Sequence, residues 1–221
     1  GILVVRSTQV TAKAIEAGRQ LNLIVRAGAG VNTIDVAAAS ARGIYVANCP
    51  GKNATAVAEL TMGMILSLDR RIVDATSDLR AGKWEKTKYS VADGLYGKRL
   101  GIAGLGAIGR EVLDRARGFG LDAHAWSRSL SPNKAAKLGV GYARSLEDLA
   151  GMSDIFTVHL PLTAQTRGVI SRNVLSALPD NAILVNTARP EVLDYVALEE
   201  LIPKKGLRVG LDVFPDEPDK G

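Results

Sequence analysis

Short apolar runs alternate with stretches of helical spacing along most of this chain, and that alternation predicts its elements. Residues 2–5 read as a buried strand, followed by a helix through Ala17 for which Thr11 is the N-cap. A second strand over 21–26 ends at Gly28-Ala29-Gly30, a short helix over 35–42 closes at Gly43, and 44–47 form a third strand. After the turn at 48–53 comes a long helix from about Thr55 to Leu68, with Ala58, Met62, Ile65 and Leu66 among its buried candidates. It also carries Ala56, Leu60, Met64 and Leu68 on other sides, which suits burial between units or in an oligomer. A further helical stretch runs over 71–81, and the polar segment 82–97 reads as a crossing between units.

From Arg99 the alternation restarts. Strands are expected at 99–103, 122–126, 155–159, 182–186 and 206–211, with helices at 110–119, 133–138, 146–150, 172–177 and 194–202 between them. Strands alternating with helices specify parallel sheets covered by helices. The expected fold is therefore α/β, with two parallel-sheet units in tandem over 1–93 and 94–221.

One turn in the second unit carries recognisable chemistry. Gly104-Leu105-Gly106-Ala107-Ile108-Gly109 follows a strand directly and opens a helix. A dinucleotide-binding turn needs that order: Gly104 for the tight turn, Gly106 for backbone approach to a pyrophosphate, Gly109 for close helix–strand packing. Ala107 and Ile108 then offer backbone N–H groups at the positive end of the helix dipole. The next strand should end in an acid that holds the adenosine ribose, but Ser127-Arg128-Ser129 stand there. No carboxylate repels a 2′-phosphate, and Arg128 with two hydroxyls can bind one, so NADP is favoured. The alternative is a solvated loop on a protein that binds NAD through other contacts.

Composition narrows the partners. The net charge is +5, but the cations are scattered among acids, which favours small anions and disfavours nucleic acid. No apolar run is long enough to span a membrane. The one cysteine, Cys49, excludes an internal disulfide framework and fits a reducing cytoplasm. No metal-ligand spacing is visible, and no metal is expected.

Several segments together resemble the D-isomer-specific 2-hydroxyacid dehydrogenases, most of all the phosphoglycerate dehydrogenase branch. They are residues 25–35, 48–54, 58–61 and 82–85, the glycine-rich turn, and residues 158–163, 185–189 and 211–218. The resemblance implies a flavodoxin-like substrate-binding unit, lacking its C-terminal return here, and a Rossmann dinucleotide-binding unit. It implies hydride transfer between a nicotinamide and a D-2-hydroxyacid, and 3-phospho-D-glycerate oxidation at the entry to serine synthesis is the expectation. A glyoxylate or hydroxypyruvate reductase is the first alternative, and a dinucleotide-sensing corepressor-like binding protein the second.

By the same resemblance Arg189 is the catalytic cation, and Glu217 orients an acid/base. That acid/base is a histidine in a segment beyond Glu217, so the chain alone is expected to turn over poorly or not at all. Taken without the resemblance, Arg189 reads as a surface residue paired with Glu191 or Asp194, and Glu217 as a loop acid. His124 and His159 read as structural histidines within or at the end of strands. Leu160, Thr187, Ala188 and Asp212 match positions around the nicotinamide half. The backbone of Ala27 to Val31, with Gly28, Ala29 and Gly30 at its centre, is implied to receive the substrate carboxylate, with Asn53 lining the same cleft.

Arg6 and Arg26 match cations for a substrate phosphate, although either also reads as a strand-end arginine in solvent. Trp84, Lys86 and Lys88 fall where the family has a basic stretch near subunit contacts, and a homodimer or higher homo-oligomer is expected. One departure stands out: Pro190 and Glu191 replace the two glycines usual after the arginine. Proline pushes Arg189 towards extended backbone.

Overall fold

The structure, a computed structural model, describes residues 1–216. They pack as two units, Gly1–Thr55 and the chain from Ala56 onward. In the first unit, strands β1 (Ile2–Val5), β2 (Leu23–Arg26) and β3 (Tyr45–Ala47) form a parallel sheet in that order. Helices α1 (Ala12–Ala17) and α2 (Val36–Ala41) accompany it, and Ile15, Ile24, Ile34, Ala39 and Ile44 form its core. Thr11 and Asp35 cap the helices by accepting from the Ala14 and Ala38 amides, each cap contributing about 1 kcal/mol.

Helix α3 (Ala54–Arg70) carries the chain into the second unit. Ala58, Met62 and Ile65 are buried there with Ile102 and Val112, so this face packs into the larger core. Leu60 on another side remains exposed. The helices after Thr55 thus belong by packing to the second unit, whereas hydrophobic patterning grouped residues up to 93 with the first.

Helices α4 (Ile72–Arg80) and α5 (Lys86–Tyr89) follow, joined by Asp78, which accepts from Lys88 Nζ at 2.9 Å and Tyr89 Oη at 2.6 Å. Helix α5 lies in the segment expected to be irregular. One polar turn of Lys-Thr-Lys-Tyr buries nothing, so no apolar periodicity announces it.

The second sheet is parallel throughout. It comprises β4 (Arg99–Ala103), β5 (Asp122–Trp126), β6 (Gly141–Tyr142), β7 (Ile155–Val158), β8 (Ile183–Asn186) and β9 (Arg208–Leu211). Their order is β6-β5-β4-β7-β8-β9. The chain moves outward from β4 to β6 and then returns to the other side of β4, so the order reverses between β4 and β7. Ligands of such sheets bind outside the carboxyl ends of the strands at that reversal. At the amino ends, Arg99 clamps the same two strands through Asp154, with Nη2–Oδ1 at 2.8 Å and its own amide on Oδ2 at 2.9 Å. Strand β6 was not expected: two residues are too few for a pattern.

The helices are α6 (Ala107–Gly118), α7 (Pro132–Lys137), α8 (Leu146–Gly151), α9 (Arg172–Ala177) and α10 (Tyr195–Lys205), with a 3₁₀ turn over Pro190–Val192. Helix α6 buries Gly109, Val112, Leu113 and Ala116, a single stripe laid on the sheet.

Candidate active site

The glycine-rich turn sits at the carboxyl end of β4, and each glycine has a distinct physical reason. Gly104 has φ +105°, and a Cβ there would lie 2.6 Å from the His159 carbonyl oxygen. A Cβ on Gly109 would collide with the Gly104 carbonyl, so α6 approaches the strand only because that side chain is missing. Gly106 differs: a Cβ there would meet nothing within 4 Å. The backbone at Gly106 therefore faces room, and α6 starts there without a side-chain cap. Its first N–H groups, at Ala107 and Ile108, lack intrahelical acceptors and suit a pyrophosphate.

At the carboxyl end of β5, Ser127 is half-buried, while Arg128 and Ser129 are exposed. A cavity of about 310 Å³ opens beside this loop. Ser127 and Ser129 line it, with Arg110 from α6 and Lys134 and Lys137 from α7. Arg128 is not among the residues of its wall.

The ends of β7, β8 and β9 form the other side of the crevice. His159 and Leu160 follow β7, and both are buried. Neither ring nitrogen of His159 has a partner among the described residues, and burial pushes its imidazole down to about 4. His124 is held differently: its Nε2 lies 3.1 Å from Asp122, and its ring covers Gly141. That is a structural setting.

After β8, buried Asn186 latches the loop. Its Nδ2 donates to the Arg189 carbonyl at 3.1 Å, and its Oδ1 accepts from the Ala188 amide at 3.0 Å. The Thr187 hydroxyl lies 3.2 Å from that of Thr61 on α3, both fully or nearly buried. Arg189 is half-buried and extended, at φ −142° and ψ 142°, as a residue before proline should be. Its guanidinium makes no ion pair with Glu191 or Asp194 among the described residues; its Nη1 donates to the Ala188 carbonyl at 2.7 Å. The exposed Asp212 follows β9, its amide bonded to the Asn186 carbonyl at 3.1 Å.

In the first unit the candidate anion cradle stands at the carboxyl end of β2. The Arg26 guanidinium lies directly over Gly28, in the space a Cβ there would need. Its Nε is buried without a partner among the described residues. The turn is pinned by Asn48, whose Nδ2 donates to the Ala29 carbonyl at 2.7 Å, and by the Cys49 amide on the Gly28 carbonyl at 3.0 Å. Strand register sets Arg26 opposite Val5, so the exposed Arg6 leaves the sheet at the same end. Asn53 is exposed just before α3.

The second unit thus brings Gly104, Gly106, Ala107, Ile108, Gly109, Leu160, Thr187, Ala188, Arg189 and Asp212 to the carboxyl ends of one parallel sheet. Glu217 lies outside the described residues. Asn48, Asn186, Thr61, Arg110, Lys134 and Lys137 were not singled out from sequence. Asn48, Thr61 and Asn186 lie within segments that carry the resemblance but were given no role of their own, and the three cations meet only once α6 and α7 are folded. Among the described residues no group of three His, Cys, Asp or Glu could hold a metal ion.

Residues 62–221 match the family model described as D-isomer specific 2-hydroxyacid dehydrogenase, NAD binding domain. The chain is 41% identical over 221 residues to a D-3-phosphoglycerate dehydrogenase of Methanocaldococcus jannaschii, covering 99% of itself and 42% of that protein. It is 45% identical over 219 residues to a hydroxypyruvate reductase of Thermotoga maritima, covering 98% of itself and 70% of the relative. Among solved structures, a D-lactate dehydrogenase from Aquifex aeolicus complexed with NAD and lactic acid superposes with a TM-score of 0.86 at 28% identity, covering 97% of this chain and 64% of that one.

Proposed function

From the chain's membership of the D-isomer-specific 2-hydroxyacid dehydrogenase family, we propose that it serves the oxidation of 3-phospho-D-glycerate to 3-phosphohydroxypyruvate, at the entry to L-serine formation, with NADP as cofactor. The observation that carries the substrate is the Arg26 guanidinium poised over the Gly28–Gly30 turn, with Arg6 at the same sheet end. A phosphorylated acid has two anionic ends. In this reading the N–H groups of Ala27 to Val31, with Asn53, take its carboxylate, and Arg6 and Arg26 take its phosphate.

A nicotinamide, were it bound, would supply the acceptor for the hydride on C2. The Arg189 guanidinium holds the substrate carboxylate and the oxygen on C2, stabilising the charge that grows there. The hydroxyl proton passes to a base oriented by Glu217. Leu160, Thr187, Ala188 and Asp212 would line the nicotinamide half, while Gly106, Ala107 and Ile108 would hold the pyrophosphate and Ser127 the adenosine ribose.

A hydroxypyruvate or glyoxylate reductase is the second reading, favoured by the cationic cavity, since reductive enzymes draw on NADPH. A homodimer or higher oligomer is part of the proposal. Leu79, Trp84 and Val91, on or beside α4 and α5, are 59%, 78% and 72% exposed, an apolar surface suited to a second copy. No described helix is long and apolar enough to cross a membrane; a cytoplasmic site of action is proposed with the lone Cys49.

Two variants of the full-length protein test this reading. Arg26→Gln should raise KM for 3-phospho-D-glycerate roughly 10- to 100-fold, the loss of one charge-assisted phosphate contact, and leave D-glycerate unaffected. Arg189→Lys should lower kcat for both by about 100-fold or more. Equal effects of Arg26→Gln on both acids would contradict the phosphate role.

A further inference from the structure

Two buried hydroxyls join helix α3 to the loop that carries Arg189, and the direction of their bond follows from the proton count. Thr61 is fully buried and shares a face of α3 with Ala58, Met62 and Ile65, at helical spacing. Its Oγ1 donates to the Val57 carbonyl at 2.8 Å, which uses its one hydroxyl proton. In the pair with Thr187, at 3.2 Å, Thr61 is therefore the acceptor and Thr187 the donor. The relay runs from Thr187 through Thr61 to the Val57 carbonyl and holds the Thr187 side chain in one orientation. Two valines would fill the same space without burying hydroxyls, so cohesion of the core does not call for this pair. What the hydroxyls add is direction.

We infer that Thr61 is a positioning residue for Arg189: through the Thr187 hydroxyl, α3 fixes the loop from which the guanidinium reaches the substrate. The chain of contacts is short. Thr187 is bonded to Thr61, and the next residue, Ala188, is held at its amide by Asn186 Oδ1. The Ala188 carbonyl in turn accepts from Arg189 Nη1 at 2.7 Å, so the guanidinium takes its bearing from the backbone that these bonds fix. Asn186 belongs to the strand that feeds the loop, whereas Thr61 ties the loop to a separate element, packed with the larger core. The inference rests on the proposed role of Arg189. Thr61 supplies neither charge nor proton to the reaction; it acts only on where the arginine stands. A reacting group misplaced by about 1 Å can cost on the order of 100-fold in rate.

The test is made on the full-length protein, with kinetics of 3-phospho-D-glycerate oxidation and hydroxypyruvate reduction beside calorimetry of 5′-ADP and chemical unfolding. Thr61→Val keeps the side-chain shape and removes the acceptor, and should lower kcat roughly tenfold. Affinity for 5′-ADP, which reports the glycine-rich turn, should change less than about twofold. Thr61→Ser keeps the hydroxyl and should restore kcat to within about twofold of wild type. Thr61→Val with Thr187→Val leaves neither hydroxyl orphaned, so it should recover the unfolding midpoint that Thr61→Val loses, but not kcat. The inference is overturned if Thr61→Val keeps full kcat, if Thr61→Ser falls as far, or if 5′-ADP affinity falls with kcat. Recovery of kcat in the double variant also overturns it, since the hydroxyls would then serve packing alone. The reading beneath it fails separately: if the wild type turns over neither acid, or Arg189→Lys keeps full kcat, Thr61 has no catalytic arginine to position.

Discussion

His159 shows how one buried side chain couples the cofactor turn to pH. Its carbonyl packs against Gly104, and its ring lies buried with both nitrogens unpartnered among the described residues. Burial disfavours the imidazolium, so the ring titrates at about 4 when folded, against 6.5 for the free group. Between those values the unfolded chain binds the extra proton. Stability is therefore complete above about pH 6.5 and falls as the pH drops towards 4, by roughly 3 kcal/mol at most. Chemical unfolding at a series of pH values should show this decline in the wild type and a shallower one in His159→Gln. Superimposable profiles would mean that the ring is not held neutral by its surroundings.

At the scale of elements, the site depends on how closely α6 lies on β4. Gly109 sets that distance, because a Cβ there would strike the Gly104 carbonyl. Gly109→Ala must push the helix outward, and its first N–H groups move with it. The expected result is at least about a tenfold loss of dinucleotide affinity by calorimetry, with the helical content by circular dichroism preserved. Unchanged affinity would show that the pyrophosphate is not held at this helix start.

The turn was legible in the sequence because its chemistry is local: three glycines at fixed spacing between a strand and a helix. The central strands of the second sheet were legible for a similar reason, their burial on both faces leaving continuous apolar runs such as Ala182–Val185. What escaped notice lacks such local signals. Helix α5 is a single polar turn, and β6 is two residues long. Asn48 acts on a loop brought beside it by folding, Asn186 latches its own loop without any periodic signal, and the cationic cavity joins residues 110, 134 and 137 across two helices. Arg189 was legible only through a multi-residue motif, since its half-buried, extended setting is made by Pro190 and by the Asn186 latch.

For the whole molecule, each unit presents its own anion-binding apparatus at the carboxyl ends of a parallel sheet. In the first unit it is a pinned glycine turn under a guanidinium; in the second, a helix start, an arginine loop and a cationic cavity. A doubly anionic substrate and a phosphorylated dinucleotide are the ligands these features suit together. The chain spans 42% of the length of the phosphoglycerate dehydrogenase from Methanocaldococcus jannaschii and 70% of the Thermotoga maritima hydroxypyruvate reductase, so activity is to be measured on the full-length protein. The direct measurement is the kcat/KM for oxidation of 3-phospho-D-glycerate against that for D-glycerate, with NADP supplied. The account predicts a preference for the phosphorylated acid of at least about tenfold, the worth of one charge-assisted contact. Equal or greater efficiency on D-glycerate would contradict it.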